Sequence, residues 1–351
     1  MFDLEAYDYD LPEHLIAQAP AEKRDQSRLL VVDRSGESLS DRFFFDLPLL
    51  LRSGDLLVVN NTRVVPARLF GRKESGGKAE VLVLEHESPG HDLGCARWCL
   101  VKSSKRPGVG HRLLFDRQMS GIVERVEGGG LTRLVFQGPF PIDLFLQEAG
   151  VVPLPPYIRR NHGDDRAVLD RERYQTIFSR PKGSVAAPTA GLHFSEELIR
   201  RLNESGVKLV EVTLHVGYGT FKPVRTRDIR KHRIGEEGYA VDGPAADGIN
   251  EARLQGRRVI AVGTTVVRVL ETVAREGGFL KPGEGRTDLL ITPGHPFKIV
   301  DGLITNFHLP RSSLLFLVSA FAGIERIRRA YRWAVERAYR FYSYGDAMLI
   351  L

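Results

Sequence analysis

The sequence predicts an α/β protein interrupted by a small all-β domain, on three observations. From Ser184 onward, strand-like and helix-like runs alternate: VAA leads to SEELIRRLNESG, VKLVEVTLHV to AADGINEARLQG, and RRVIAVG to TTVVRVLETVAREGG. Such alternation marks a largely parallel sheet with helices packed on it. Between Ala67 and Gln137 come six short runs: ARLFGRK, AEVLVLEHE, ARWCLVKSS, HRLLFDRQ, GIVERVE and LTRLVFQ. Gly76-Gly77, Pro89-Gly90, Pro107-Gly108, Met119-Ser120 and Gly128-Gly129-Gly130 separate them, and evenly spaced short strands of this kind build a small barrel or sandwich. Finally, the 351 residues exceed the roughly 250–300 at which a single core stops growing, so two domains are expected.

In chain order, residues 1–65 read as a short helix over Leu11–Gln18, a strand pair turning at Asp33–Gly36, and the apolar strand DLLVV at 55–59. After the six short strands, IDLFLQEAG is helical, PLPPY is stiff, and IRRNHGDDRAVLDRERYQ is charged. TDLLIT and LITNF read as strands before two closing helices. The second of these carries Ile324, Ile327, Tyr331, Val335 and Ala338 on one docking face. The expected division is a discontinuous α/β domain, residues 1–65 and 139–351, with residues 66–138 inserted as the β domain.

Hydrophobic residues make up 42% and charged residues 27% of the chain, ordinary for a soluble globular protein. No stretch reaches the ~18 uninterrupted apolar residues of a membrane helix. The opening MFDLEAYDYDLPEHL lacks the basic-then-apolar layout of a secretion signal, which points to the cytoplasm. Cys95 and Cys99 are the only cysteines. They are too few for a disulfide scaffold, a four-thiolate zinc site or a thiolate-held iron–sulfur cluster, and read as free thiols on a strand. Net charge is +6, and 39 of 50 basic residues are arginine. Arginine's fixed fork of donors suits phosphate and stacks on bases, so nucleic acid is the obvious acidic partner, although a merely solvated basic surface has the same composition.

The stretch VAAPTAGLHFS, 185–195, shows how a site is laid out. Pro188 ends the strand by holding Ala187 extended. Ser195 is a good N-cap with Glu196 and Glu197 in the first turn, and Phe194 packs on Ile199 as a staple. Thr189, Ala190, Gly191, Leu192 and His193 thus form a loop between strand end and helix start, where ligands bind in open α/β sheets. Small residues there admit a ligand close to the backbone. Other segments repeat the pattern. VKLVEVTLHVGYGTF places Val210, Val212, Leu214 and Val216 on one face and Glu211, Thr213 and His215 on the other, before Gly217 and Gly219. VIAVGTTVVRVL passes through Gly263 into Thr264 and Thr265 at a helix start, a natural site for anions or hydroxyls. LITNFHLPRSSLL ends a strand at Asn306-Phe307-His308, with Ser312 as the next cap. His193, His215, His308 and two threonines are therefore expected to share one crevice.

Several long stretches also match one family in the same order: RDQSRLL (24–30), GDLLVVNNTRVVPARLFGRK (54–73), PLPPYI (153–158), VAAPTAGLHFS, VTLHVGYGTFKPV (212–224), VIAVGTTVVRVLE (259–271), VDGLITNFHLPRSSLLFLVSAFAG (300–323) and YRFYSYGDAMLI (339–350). Along essentially its whole length the chain resembles the S-adenosylmethionine:tRNA ribosyltransferase-isomerases of queuosine biosynthesis. Four positions depart from that family's pattern. Asn61 stands for a usual aspartate, Ile234 and Gly235 for a frequent Met-His pair, and Tyr218 for a usual alanine.

The resemblance implies a layered α/β domain with an inserted small six-stranded β-barrel. It implies transfer and isomerisation of the ribosyl part of S-adenosylmethionine onto 7-aminomethyl-7-deazaguanine at the wobble position of the His, Asp, Asn and Tyr tRNAs. Epoxyqueuosine forms, and adenine and methionine leave. S-adenosylmethionine is then a co-substrate, no metal is required, and the chain is expected to act as a cytoplasmic monomer. The chemistry needs a base at the sugar carbon beside the sulfonium, for which His193 or His215 is the candidate. Thr189, Thr264, Thr265 or Asn306 would donate to the departing adenine or the ribose hydroxyls. Asp346 is the carboxylate candidate for the aminomethyl group, or else a backbone cap. Gly191, Gly217, Gly219 and His308 complete the expected cofactor contacts. Arg24, Asp25, Arg28, Asn60, Arg63, Arg268 and Tyr344 are the expected substrate or tRNA contacts. Three rival classes make different products or depend on different conditions. A methyltransferase would release S-adenosylhomocysteine, a three-histidine metal hydrolase would yield to chelators, and an RNA-binding protein would consume no cofactor.

Overall fold

Four runs of consecutive apolar residues, Leu56–Asn60, Val259–Val262, Gly302–Asn306 and Ala347–Ile350, are buried along their whole length, as strands covered on both faces must be. In the computed structural model, which describes residues 1–36, 38–85, 94–160, 164–221, 223–274 and 278–351, they form the centre of a nine-stranded sheet. Its order is Gly283–Thr287, Glu237–Val241, Lys208–Leu214, Leu56–Asn60, Val259–Val262, Gly302–Asn306, Ala347–Ile350, Arg28–Val32, Leu39–Phe43. The third to sixth of these run parallel. Ala347–Ile350 runs antiparallel to Gly302–Asn306 and parallel to Arg28–Val32, and both edges are antiparallel. The sheet is therefore mixed rather than largely parallel: four of its eight pairings are parallel and four antiparallel.

Alternate residues of the central strands feed two cores. Leu56, Val58, Val259, Ala261 and Leu303 join the cluster shared with the helices Gly243–Leu254, Thr264–Val273, Ser313–Ala322 and Ile324–Glu336. Leu57, Val59, Ile260, Val262 and Ile304 join Phe44, Phe178, Phe194 and the helix Glu196–Glu204 on the opposite face. The second closing helix buries Ile327, Ala330, Tyr331 and Ala334, close to the face expected from its spacing.

Each of the six short runs supplies one strand of a closed antiparallel barrel: Arg68–Lys73, Lys78–Val83, Ala96–Ser103, Arg112–Leu114, Ser120–Val126 and Leu131–Gln137. Alternation builds it, with Ala79, Val81 and Val83 pointing inward and Lys78, Glu80 and Leu82 outward. Cys99 is buried inside and Cys95 exposed. The helix Ile142–Ala149 packs Ile142, Phe145 and Leu146 into the same core. The expected turn at Pro89-Gly90 lies outside the described residues.

Three local expectations are corrected. Leu11–Gln18 is not a helix but a single 3-10 turn, Glu13–Leu15, because Pro12 opens it and Ile16 leaves to bridge Phe341. VAA is not a strand. The strand lies just before it, at Lys182–Ser184, paired with Arg63–Val64, and Val185 then bonds the Val216 carbonyl. The edge strand is Gly283–Thr287 rather than TDLLIT, since Leu289 and Ile291 turn into the core instead of continuing the ladder.

Arg268 ties the Thr264–Val273 helix to the sheet edge. It is buried and ion-paired with buried Glu237, and it donates to the Leu289 and Thr287 carbonyls, each at 3.2 Å. Glu237→Gln leaves that guanidinium in the core without its carboxylate, and is expected to cost about 3 kcal/mol in equilibrium unfolding. A loss below about 0.5 kcal/mol, the scale of a surface pair, would contradict a structural role for this pair.

Candidate active site

The parallel strands deliver their C-terminal ends to one side of the sheet, and the chain after each end supplies one wall of a pocket. After Val262, Gly263 turns at φ 95°, a left-handed conformation that favours glycine, and starts the Thr264–Val273 helix. The N–H groups of Thr264 and Thr265 lie in its first turn, where no intrahelical acceptor exists. After Asn306, Phe307 to Leu309 lead to Ser312, whose Oγ donates to the Leu309 carbonyl at 2.7 Å and caps the next helix. The turn Thr189–His193 forms a third wall, with Ser195 as the N-cap that follows it. Tyr157 and Ser343, bonded through their hydroxyls at 2.7 Å, close the side. Asn60 fixes the strand ends, accepting from Leu214 N and donating to the Leu214 carbonyl and to Thr265 Oγ1.

The pocket is a half-open cleft of about 740 Å³ counting its mouth. Thr189, Thr264, Thr265, Thr305, Asn306, His308 and Ser312 line it with Tyr157 and Tyr342, and among the described residues no Asp, Glu, Lys or Arg does. His308 shares its Nε2 with Thr305 Oγ1 at 2.8 Å, while Nδ1 has no partner among the described residues. Burial lowers its pKa to about 3.

His193 lies behind this pocket. Its ring stacks on Phe44, with centroids 5.0 Å apart, and both nitrogens are engaged: Nδ1 with Ser27 Oγ at 2.7 Å, Nε2 with Asn306 Nδ2 at 3.0 Å. Asn306 Nδ2 also meets the Tyr342 carbonyl at 3.2 Å, so nitrogen rather than oxygen belongs on that side. Asn306 therefore donates to Nε2, and the ring proton sits on Nδ1 facing Ser27. Protonating Nε2 would bring two hydrogens together. Burial, with Arg340 and Arg24 adding to it, lowers the His193 pKa to about 3. Asn306 Oδ1 is left buried without a partner among the described residues.

Of the expected site residues, Thr189, Thr264, Thr265, Asn306 and His308 meet in this pocket. The expected crevice of three histidines does not form. His215 sits on the other face of its strand from Val216, bonded through Nδ1 to Thr62 Oγ1 at 2.8 Å. There it lies so close to Gly183, at φ 147°, that a Cβ would fall 2.9 Å from its ring. Arg24, Tyr344 and His193 line a smaller neighbouring cavity. Gly191 is packed on Thr176, and Gly217 and Gly219 stand against Glu237 and Gly235.

The remaining candidates, apart from the exposed Arg63, are held by the framework. Asp25 accepts from the capping Ser195, Arg63 is exposed on the two-stranded sheet, and Arg268 is spent on Glu237. Arg28 lies over the Tyr339 ring at 3.7 Å. Both Asp346 oxygens accept backbone N–H groups, from Arg28 at 3.0 Å and Arg340 at 2.7 Å, which makes it the cap that was its alternative reading. Asn61 bridges Thr213 and Glu211. Tyr157, Thr305, Tyr342 and Ser343 were missed as site residues, although PLPPY and YSYGD marked two of their segments. No group of three His, Cys, Asp or Glu side chains able to hold a metal occurs among the described residues.

A family model described as Queuosine biosynthesis protein matches residues 4–350. An S-adenosylmethionine:tRNA ribosyltransferase-isomerase of Carboxydothermus hydrogenoformans is 52% identical over 99% of both chains. One of Gloeobacter violaceus is 51% identical over 100% of this chain and 96% of its own length. The crystal structure of an S-adenosylmethionine tRNA ribosyltransferase from Thermotoga maritima superimposes with a TM-score of 0.55 at 37% identity, covering 99% of this chain and 100% of that one. The chain thus belongs to the queuosine biosynthesis family, and it is an enzyme of the transferase–isomerase class.

Proposed function

We propose that the chain transfers and isomerises the ribosyl moiety of S-adenosylmethionine onto 7-aminomethyl-7-deazaguanine at the wobble position of a tRNA, giving epoxyqueuosine and releasing adenine and methionine. The observation that carries this reading is the uncharged pocket at the strand ends, lined by hydroxyls, one amide, one histidine and two tyrosines. A sulfonium is attracted to aromatic faces. With no carboxylate in the lining to neutralise it, its charge is free to acidify the neighbouring sugar carbon. The first-turn N–H groups of Thr264 and Thr265 suit the methionine carboxylate, and Asn306 Oδ1 suits a ribose hydroxyl as donor. His308, which lines the pocket with Nδ1 unengaged among the described residues, takes the role of base. His193 becomes a positioning residue that holds the Asn306 amide in one orientation.

His308→Ala is expected to lower kcat for adenine release by about 10²–10⁴-fold while tRNA binding persists. Collapse in His215→Ala with His308→Ala active would move the base to His215. Because the folded pKa of His308 lies at about 3, below its ordinary value, the ring stays neutral as pH falls through 6.5 and charges only near that lower value. The pH profile of kcat/KM should therefore show no acid limb near 6.5, and an acid limb there that His308→Gln abolishes would contradict a neutral buried base.

A further inference from the structure

Most surface arginines of this chain are matched to carboxylates. Arg117, Arg125, Arg133, Arg166, Arg200 and Arg230 each have an Asp or Glu within ion-pair distance. At one end of the barrel, two of the three connections are different, while the third, between Ser120–Val126 and Leu131–Gln137, holds the paired Arg125 and Glu127. Arg72 and Lys78 flank the hairpin after the Arg68–Lys73 strand, and Lys102, Lys105, Arg106 and Arg112 flank the connection between the next two strands. All six are exposed, and none has an ion-pair partner among the described residues. Residues 72–78 and 102–112 contain one carboxylate, Glu74. Pairing fixes their proximity: Arg72 faces Lys78 across one ladder and Leu114 across another, while Lys102 faces Glu80, two residues from Lys78. Lys73 anchors the connection by donating to the Lys105 carbonyl at 3.1 Å.

This end is also set away from the rest of the chain. Arg68, at the start of its strand, bonds Val151 and the Leu154 carbonyl, and Lys73 lies five residues further along, about 17 Å at the rise of an antiparallel strand. A cluster of unpaired cations held off the body fits a partner that is a line of negative charge. We propose that this end of the barrel binds the phosphate backbone of the substrate tRNA, as a second grip apart from the pocket that takes the reacting base. This rests on the tRNA reading above.

The test compares three full-length proteins. The first is wild type, the second carries Lys78→Gln, Lys102→Gln, Lys105→Gln and Arg106→Gln, and the third loses two ion-paired barrel charges through Arg125→Gln and Arg133→Gln. Titration with unmodified tRNA across salt concentrations should show the four-site variant weakened at least tenfold. Its slope of log affinity against log salt should fall by about 3, close to one unit per lost phosphate contact. The two-site variant should stay within about twofold, since its charges are already neutralised. KM for S-adenosylmethionine should be the same in all three. Equal tRNA affinity and slope in the four-site variant would overturn the inference. So would loss of binding only to phosphatidylserine vesicles, which would make the surface a lipid contact. Failure of wild type to release adenine from S-adenosylmethionine with precursor-bearing tRNA would instead sink the functional reading, which these binding curves do not measure.

Discussion

The amide of Asn306 can face only one way, and the pocket depends on it. The Tyr342 carbonyl accepts from its nitrogen, so the oxygen of the same amide turns to the other side. His193 enforces this from behind by offering an unprotonated Nε2, and Ser27 holds the His193 proton on Nδ1. Three segments far apart in sequence, the Arg28–Val32 approach, the Thr189–His193 turn and the end of the Gly302–Asn306 strand, are thereby locked into one arrangement. A buried network of this kind rigidifies a site when its members are satisfied. The one atom left unsatisfied, Asn306 Oδ1, belongs to a pocket-lining residue, where a ligand donor can complete it.

Charge is arranged around that constraint. The pocket lining has none, while arginines elsewhere stabilise the framework. Arg268 neutralises Glu237, Arg258 clamps buried Asp55 with two donors, and Arg160 does the same to Asp170, which in turn accepts from Tyr344. Forked donors that match a carboxylate make such buried pairs tolerable. A high arginine count is thus partly an internal matter, and only the unmatched remainder is available to an acidic partner. Composition alone could not make that distinction.

Much of the fold was legible because it follows from local rules. The six barrel strands, the Ser195 and Ser312 caps and the helices after Gly263 and Pro188 could be read from alternation, cap chemistry and apolar period. The mixed sheet was not, since which strands pair, and in which direction, is decided between segments distant in the chain. In the site, the strand-end residues were found because their location is a property of α/β sheets. His215 was misplaced even though its face had been assigned correctly: the side of the strand it occupies faces Thr62 and Gly183 instead of the pocket. The choice between the two readings of Asp346, and the ion pair of Arg268, could not be read from the sequence because their partners, Arg28 and Glu237, come from distant segments. No spacing rule announces such pairs.

The most direct measurement is a crystal structure of the chain soaked with S-adenosylmethionine in the absence of tRNA. The account predicts the sulfonium against the packed Tyr157–Tyr342 pair, a ribose hydroxyl within hydrogen-bond distance of Asn306 Oδ1, and His308 Nδ1 facing the carbon beside sulfur. The ligand lying instead along Gly217 to Gly219, with His215 as its nearest imidazole, would contradict it.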